Sequence, residues 1–97
     1  LHTFKFLFPR INETGFYVIE DTQNSYWRSS GGSSDDLNSP DTSMGFLKQL
    51  VDGLNHVEYE KQDYVPNYFD LHIVAMHFYH NIVFIQKGLN NEGKTRQ

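Results

Sequence analysis

The apolar positions at the start of the chain recur at helical spacing. They are Leu1, Phe4, Leu7, Phe8 and Ile11, and they predict a helix over residues 1–11. Proline at position 9 is expected to end or kink that helix. The polar segment 12–15 follows as a turn, in which Gly15 is expected to supply a positive φ.

A continuous apolar run, Phe16–Ile19, follows the turn and stops at Glu20 and Asp21. Because both faces of this strand are apolar, it is predicted to be a central strand of a parallel sheet, covered by helices on both sides. Residues 22–45 are loop-like, and segment 28–43, rich in Gly, Ser and Asp, is predicted to be a flexible loop. Both a functional lid and a disordered segment fit such a loop.

A second helix is predicted to begin after Pro40, with an N-cap among residues 41–43 and an end near Asn55. Its apolar stripe consists of Met44, Leu47, Leu50, Val51 and Leu54. Val57 and Tyr59 are compatible with a short strand beyond it.

Two β-rich runs, 71–79 and 82–86, are predicted to form an antiparallel hairpin around the turn His80-Asn81. The polar tail 89–97 is expected to be frayed. The order helix, strand, loop, helix, strand, strand predicts an α/β fold, in which a parallel strand-helix-strand unit is followed by the terminal hairpin.

Composition narrows the functional classes. The chain has 97 residues, 38% of them hydrophobic, which allows one small domain with a core. A net charge of -4 without a basic patch argues against nucleic acid and anionic membranes as partners. The absence of cysteine excludes disulfides and Cys-ligated zinc from this chain and favours a cytoplasmic setting.

The acidic pair Glu20-Asp21 is the first candidate site. Ligands of open α/β sheets bind beyond the carboxyl ends of the strands, and Mg²⁺ takes oxygen ligands such as carboxylates. Neighbouring residues of a strand point to opposite faces, so the chain must leave strand geometry at Asp21 if both acids are to share one ligand. The alternative is that the two acids only solvate a strand end or cap a helix.

Asn24, Tyr26 and Trp27 follow the acids on the same loop and form the second candidate site. Aromatic side chains with polar tips suit the surfaces of sugars and polyketide-like molecules. Packing of Tyr26 and Trp27 against the domain is the equally weighted alternative.

The histidines give a weaker signal. His72 and His77 are an odd number of residues apart, so on one strand they face opposite sides, and an HExxH pattern is absent. His77 and His80 are therefore interpreted as ordinary strand and turn residues, and zinc is not expected.

Two segments together resemble a known family. Residues 15–27 (GFYVIEDTQNSYW) with Gly31-Gly32, and residues 76–88 (MHFYHNIVFIQKG), are similar to the macrocin-type O-methyltransferases, S-adenosylmethionine-dependent enzymes that methylate sugars of macrolide antibiotics. Two departures are Thr14, where the family has a glycine, and His80, where an acid is common.

The resemblance implies that this chain is the C-terminal part of a Rossmann-like class I methyltransferase sheet and a single incomplete domain over residues 1–97. Residues 15–21 would be the fifth strand of seven, and Glu20 and Asp21 would bind Mg²⁺. The glycine-rich S-adenosylmethionine loop, a further metal ligand and the catalytic base are expected upstream of Leu1. This chain alone is then expected to be inactive and to bind neither S-adenosylmethionine nor Mg²⁺ tightly.

The same reasoning predicts the partners. The strand 15–21 would lack a neighbour, so we expect either the missing N-terminal half or a second copy to pair with it. Two other functions stay open: a non-catalytic half-domain that acts as an interaction or oligomerisation module, and a sugar-binding scaffold that uses Tyr26 and Trp27. The substrate is a small molecule, and its identity is not encoded in these residues.

Overall fold

The structure is a computed structural model that describes residues 2–91. Its helices are α1 (His2–Leu7), α2 (Ser43–Leu54) and α3 (Tyr68–His72), and its strands are β1 (Phe16–Glu20), β2 (Ile73–Tyr79) and β3 (Ile82–Lys87). Short 3-10 helices lie at Phe8–Arg10, Thr22–Tyr26, Arg28–Ser30 and His56–Glu58.

The three strands form one sheet in the order β1-β3-β2. Because β3 is antiparallel to both neighbours, β1 and β2 run parallel to each other and their carboxyl ends lie at the same edge of the sheet. Along that edge Glu20 pairs with Ile82, and Ile82 pairs with Tyr79. The predicted strand-helix-strand unit and terminal hairpin are confirmed.

The prediction that β1 is a central strand of a parallel sheet is wrong for the described residues. There β1 has one neighbour, the antiparallel strand β3, and lies at the edge of the sheet. Its outer face is also open, since Phe16 and Val18 are 52% and 42% exposed. The apolar residues of both faces are present, but the described residues cover only one face.

The core lies on the inner face of the sheet. Ile73, Val83 and Ile85 of the sheet are buried against the helices. The buried helical and adjoining residues are Phe4, Phe8, Phe46, Leu47 and Leu50. Phe4 is the centre of an aromatic group, with ring centroids 5.0 Å from those of Phe8 and Tyr17.

Helix α2 begins where its capping side chains predict. Thr42 is the N-cap, and its Oγ1 accepts a hydrogen bond from the Gly45 amide at 3.0 Å. The Ser25 hydroxyl accepts a second one from the Met44 amide at 3.0 Å. These bonds satisfy amides that a helix start leaves without intrahelical partners, and they join the loop after β1 to α2.

Lys87 holds the segment that connects α1 to β1. It is only 2% exposed, and its Nζ donates to the carbonyl oxygens of Pro9 and Ile11, both at 3.0 Å, and of Phe8 at 3.4 Å. The ammonium also lies 5.7 Å from the centre of the Phe8 ring. A buried cation is thereby satisfied by carbonyl oxygens at the end of a helix, where the helix dipole also favours it.

Three local predictions are wrong. Gly15 does not have a positive φ; its amide instead donates to the Asn12 carbonyl at 2.9 Å, and an added Cβ would lie 3.1 Å from that oxygen. Residues 56–58 form a 3-10 helix rather than a strand. Residues 71–72 belong to α3, because Asn67 and Asp70 form a capping box that starts a helical turn there.

The segment predicted to be frayed contains one anchored residue. Asn90 is buried, and its Nδ2 donates to the carbonyl oxygens of Leu54 and Asp70 at 3.0 and 3.1 Å. Its own amide donates to the Leu71 carbonyl at 2.8 Å. Residues 92–97 of the predicted tail lie outside the described residues.

Candidate functional site

The chain leaves strand geometry at Asp21. Glu20 is the last residue of β1, and Asp21 has φ 58° and ψ 38°, the left-handed region that side-chain-bearing residues rarely adopt. The alternation of a strand therefore stops at Glu20. This is the condition that two adjacent acids must meet if they are to face one ligand.

The backbone after Asp21 is held at the carboxyl edge of the sheet. The Thr22 amide donates to the Asn81 carbonyl in the β2-β3 turn at 3.4 Å, and the Asn24 amide donates to the Asp21 carbonyl at 3.2 Å. Thr22 is buried, whereas Glu20 and Asp21 are exposed. The two carboxylates thus lie at the edge where open α/β sheets bind ligands.

Two neighbouring depressions lie beside Glu20 and Asn24, and Asp21 lines neither of them. One, of about 230 Å³, is lined by Glu20, by Thr3 and Phe4 of α1 and by Ser43 of α2 among others. The other, of about 120 Å³ and mostly polar, includes Asn24. Ser43 lines both, so the end of β1 and the loop after it meet at the start of α2.

Tyr26 and Trp27 lie on the surface of the loop. Trp27 is 53% exposed and Tyr26 is 36% exposed, so neither is packed into the core of the described residues. Hydrogen bonds hold their backbone: the Tyr26 carbonyl accepts from Ser34 Oγ at 2.8 Å, and the Trp27 carbonyl accepts from the Gly32 amide at 2.8 Å. Two exposed aromatic side chains are thereby carried on a backbone that hydrogen bonds hold in place, on the same loop as Asn24.

Gln23 is a residue of the site that the sequence did not single out. Its Nε2 donates to Asp21 Oδ1 at 3.3 Å. Its Oε1 is buried and has no hydrogen-bond partner among the described residues. A glutamine two positions after an acid is a common pattern, so only the geometry identifies it.

Ser25 and Ser43 were also missed. Ser25 Oγ caps an amide of α2 that is 19 residues away in sequence, and Ser43 lines both depressions. The sequence carries no signal for such contacts, because they depend on how the loop folds back on the helix.

The donor set fits part of an Mg²⁺ site. Two exposed carboxylates supply the hard oxygen ligands that Mg²⁺ prefers. Within residues 2–91 no group of three or more His, Cys, Asp or Glu side chains could hold a metal ion. Glu20 and Asp21 are thus two adjacent exposed carboxylates at the carboxyl edge of β1.

A larger depression lies elsewhere. It measures about 580 Å³, is open and apolar, and is lined by Phe16, His77, Tyr79, Ile82 and Phe84 on the outer face of the sheet. Neither carboxylate lines it. We place the candidate site at the smaller depressions because Glu20 lines one of them and Asn24 lines the other.

His77 and His80 lie on a strand and in a turn, as predicted. His77 lies on the outer face of β2 and His80 in the turn before β3. His72 stacks on Tyr68 with ring centroids 3.9 Å apart. No helix within residues 2–91 is long and apolar enough to cross a membrane.

The chain is similar to several O-methyltransferases. It is 48% identical to demethylmacrocin O-methyltransferase of Streptomyces fradiae, over 94% of this chain and 23% of that protein. It is 42% identical to mycinamicin VI 2''-O-methyltransferase of Micromonospora griseorubida, again over 94% of this chain and 23% of the relative. The resemblance predicted from the sequence is confirmed, although no protein-family model matches the chain.

A solved structure shows the same fold. The MycE methyltransferase from the mycinamycin biosynthetic pathway, in complex with Mg and SAH, superposes with a TM-score of 0.87 at 42% identity, over 94% of this chain and 24% of that one. The chain therefore has the fold of a C-terminal part of an α/β methyltransferase and spans about a quarter of the length of its relatives.

Proposed function

We propose that this chain is the C-terminal part of the catalytic domain of an S-adenosylmethionine-dependent, Mg²⁺-assisted O-methyltransferase that acts on a sugar hydroxyl of a natural product. The observation that carries the proposal is the left-handed turn at Asp21, directly after an apolar strand whose carboxyl end lies at the ligand-binding edge. Similarity to sugar O-methyltransferases over 94% of the chain supports it.

Glu20 and Asp21 are the proposed metal ligands. A bound Mg²⁺ would supply a Lewis acid that orients vicinal sugar hydroxyls and eases deprotonation of the one that is methylated. The two carboxylates provide negative charge at an exposed edge, and within the described residues no lysine or arginine forms an ion pair with either of them. Within those residues no ion pair neutralises either carboxylate.

The loop after Asp21 is the proposed substrate surface. Asn24 lines the polar depression and can exchange hydrogen bonds with sugar hydroxyls. Tyr26 and Trp27 present exposed rings on the same loop, which can pack on the apolar face of a sugar or aglycone. The catalytic base and the S-adenosylmethionine site are proposed to lie outside residues 1–97, so this chain alone is expected to be inactive.

Glu20→Gln and Asp21→Asn in the intact enzyme test the metal role. Each change removes a charge but keeps side-chain size, and asparagine tolerates the left-handed backbone of residue 21. We expect either variant to lose Mg²⁺ binding in calorimetry and methyl transfer to a demethylated macrolide glycoside, with an unchanged melting temperature. The exposed acid Glu13, changed to Gln, is the control. Full Mg²⁺ affinity in both site variants would refute the metal site.

We propose further that the open edge and outer face of β1 are covered by the N-terminal remainder of the enzyme, or by a second copy when the chain is alone. Exposed Phe16 and Val18 support this proposal. In sedimentation velocity the isolated chain should associate, and Val18→Lys should make it monomeric. Val65, which is 83% exposed and off the sheet, gives the matched control Val65→Lys. A monodisperse wild-type monomer would contradict self-association.

A further inference from the structure

Gln23 holds the Asp21 carboxylate in place. Within the described residues, the hydrogen bond from Gln23 Nε2 is the one side-chain bond that Asp21 Oδ1 accepts, at 3.3 Å. The amide cannot be turned around, because its oxygen would then face the carboxylate oxygen and repel it. The bond therefore has a defined direction, with glutamine as the donor.

The other end of the same amide is left without a partner. Gln23 Oε1 is buried and accepts no hydrogen bond from the described residues. A buried acceptor without a donor destabilises the fold, and such groups are rare in native proteins. Within residues 2–91 the side chain thus aims its amide nitrogen at Asp21 and leaves its own carbonyl without a donor.

A neutral donor suits this position. A lysine or arginine there would neutralise the carboxylate and compete with a cation, whereas an amide orients one oxygen and leaves the negative charge unchanged. Partners that hydrogen-bond to ligating carboxylates fix the orientation of the ligand and tune the affinity of a metal site.

We propose that Gln23 is a positioning residue that presets the Asp21 carboxylate for cation binding, at the expense of local stability. The inference rests on the proposed function, because it takes Asp21 to be a ligand of Mg²⁺. It adds a residue that acts on the metal through another side chain and makes no claim that Gln23 touches the substrate.

Gln23→Met in the intact enzyme separates this role from a structural one. Methionine keeps the length of the side chain but removes both the donor and the orphaned acceptor. We expect Mg²⁺ affinity measured by calorimetry to fall about tenfold, while the melting temperature of the metal-free enzyme stays equal or rises. A purely structural residue would give the opposite pattern, a lower melting temperature with unchanged affinity.

The exposed glutamine Gln62 supplies the control Gln62→Met, which should change neither quantity. Unchanged Mg²⁺ affinity in Gln23→Met, or a fall in melting temperature that accompanies the loss of affinity, would overturn the inference. Glu20→Gln distinguishes this failure from failure of the proposed function. If Glu20→Gln does not reduce the Mg²⁺ binding of the wild type, the proposed metal site is wrong. The proposed role of Gln23 is then wrong as well.

Discussion

The amide of Thr22 donates a hydrogen bond to the carbonyl oxygen of Asn81 at 3.4 Å. Asp21, which directly precedes Thr22, and Asn81 have φ values of 58° and 64°, and within residues 2–91 they are the two side-chain-bearing residues with a positive φ. The segment after β1 and the β2-β3 turn thus each contain a left-handed residue at the same edge of the sheet, and the bond from Thr22 links them. The hairpin turn consequently helps to fix the backbone of the candidate site.

The cost of replacing Asn81 should depend on how well the new residue tolerates the left-handed backbone at position 81. Asparagine tolerates the left-handed region, whereas alanine in that region costs about 1–2 kcal/mol. We expect Asn81→Ala to lower the free energy of unfolding by about that amount in urea titration, and Asn81→Gly to lower it much less. Equal losses in the two variants would show that the side chain of Asn81, rather than its backbone, matters.

Local patterns explain which parts of the fold could be predicted. Helix α2 was predicted because Thr42 caps it and its apolar stripe is continuous within one segment. The hairpin was predicted because β2 and β3 are adjacent in sequence. The start of β2 was placed too early, because the capping box of Asn67 and Asp70 precedes a run whose composition is typical of strands.

Contacts between distant segments explain what was missed. Lys87 is hydrophilic by type, and its burial depends on carbonyl oxygens 76 to 79 residues away. The role of Gln23 depends on the turn at Asp21, which is set in part by Asn81. The carboxylates could be proposed from the sequence because their residue type and their place after an apolar strand are both local properties.

Removal of the Lys87 ammonium should be costly. Lys87→Met leaves the carbonyl oxygens of Pro9 and Ile11 without their side-chain donor, in a partly buried setting. We expect a loss of about 2–3 kcal/mol in the free energy of unfolding, measured by chemical denaturation. Lys48 makes bonds of the same kind at the surface, to the Leu37 carbonyl and to Asn38 Oδ1. Lys48→Met should therefore cost below about 1 kcal/mol; similar losses in both variants would contradict the burial argument.

Gly53 lies where α2 packs on the buried carboxylate of Asp70. A Cβ added at Gly53 would overlap Asp70 Oδ1. Alanine stabilises a helix interior by about 1 kcal/mol relative to glycine, but we expect the overlap to outweigh this gain, so that Gly53→Ala destabilises the chain. A double-mutant cycle measures the cause: the cost of Gly53→Ala should shrink in the background of Asp70→Ala, where the overlap is gone. Strict additivity of the two changes would exclude the overlap as the reason.

The hydroxyl of Tyr64 donates to Asp70 Oδ2, and this bond predicts a pH dependence. The hydrogen bond to the carboxylate, followed by burial and the negative charge of Asp70, raises the pKa of Tyr64 from 10.0 to about 12. The folded state therefore keeps a proton that the unfolded state releases near its ordinary pKa. The stability from this bond is complete below pH 10 and is lost as the pH rises through about 12.

Tyr64→Phe isolates that group. In an absorbance titration of phenolate formation, the difference between wild type and variant should have its midpoint near pH 12 rather than 10. The stability advantage of the wild type over Tyr64→Phe should be constant at neutral pH and should disappear as the pH rises from 10 towards 12. A difference titration centred at pH 10 would mean that Tyr64 does not donate to Asp70 in the folded chain, and the packing of α3 on α2 around that carboxylate would need another explanation.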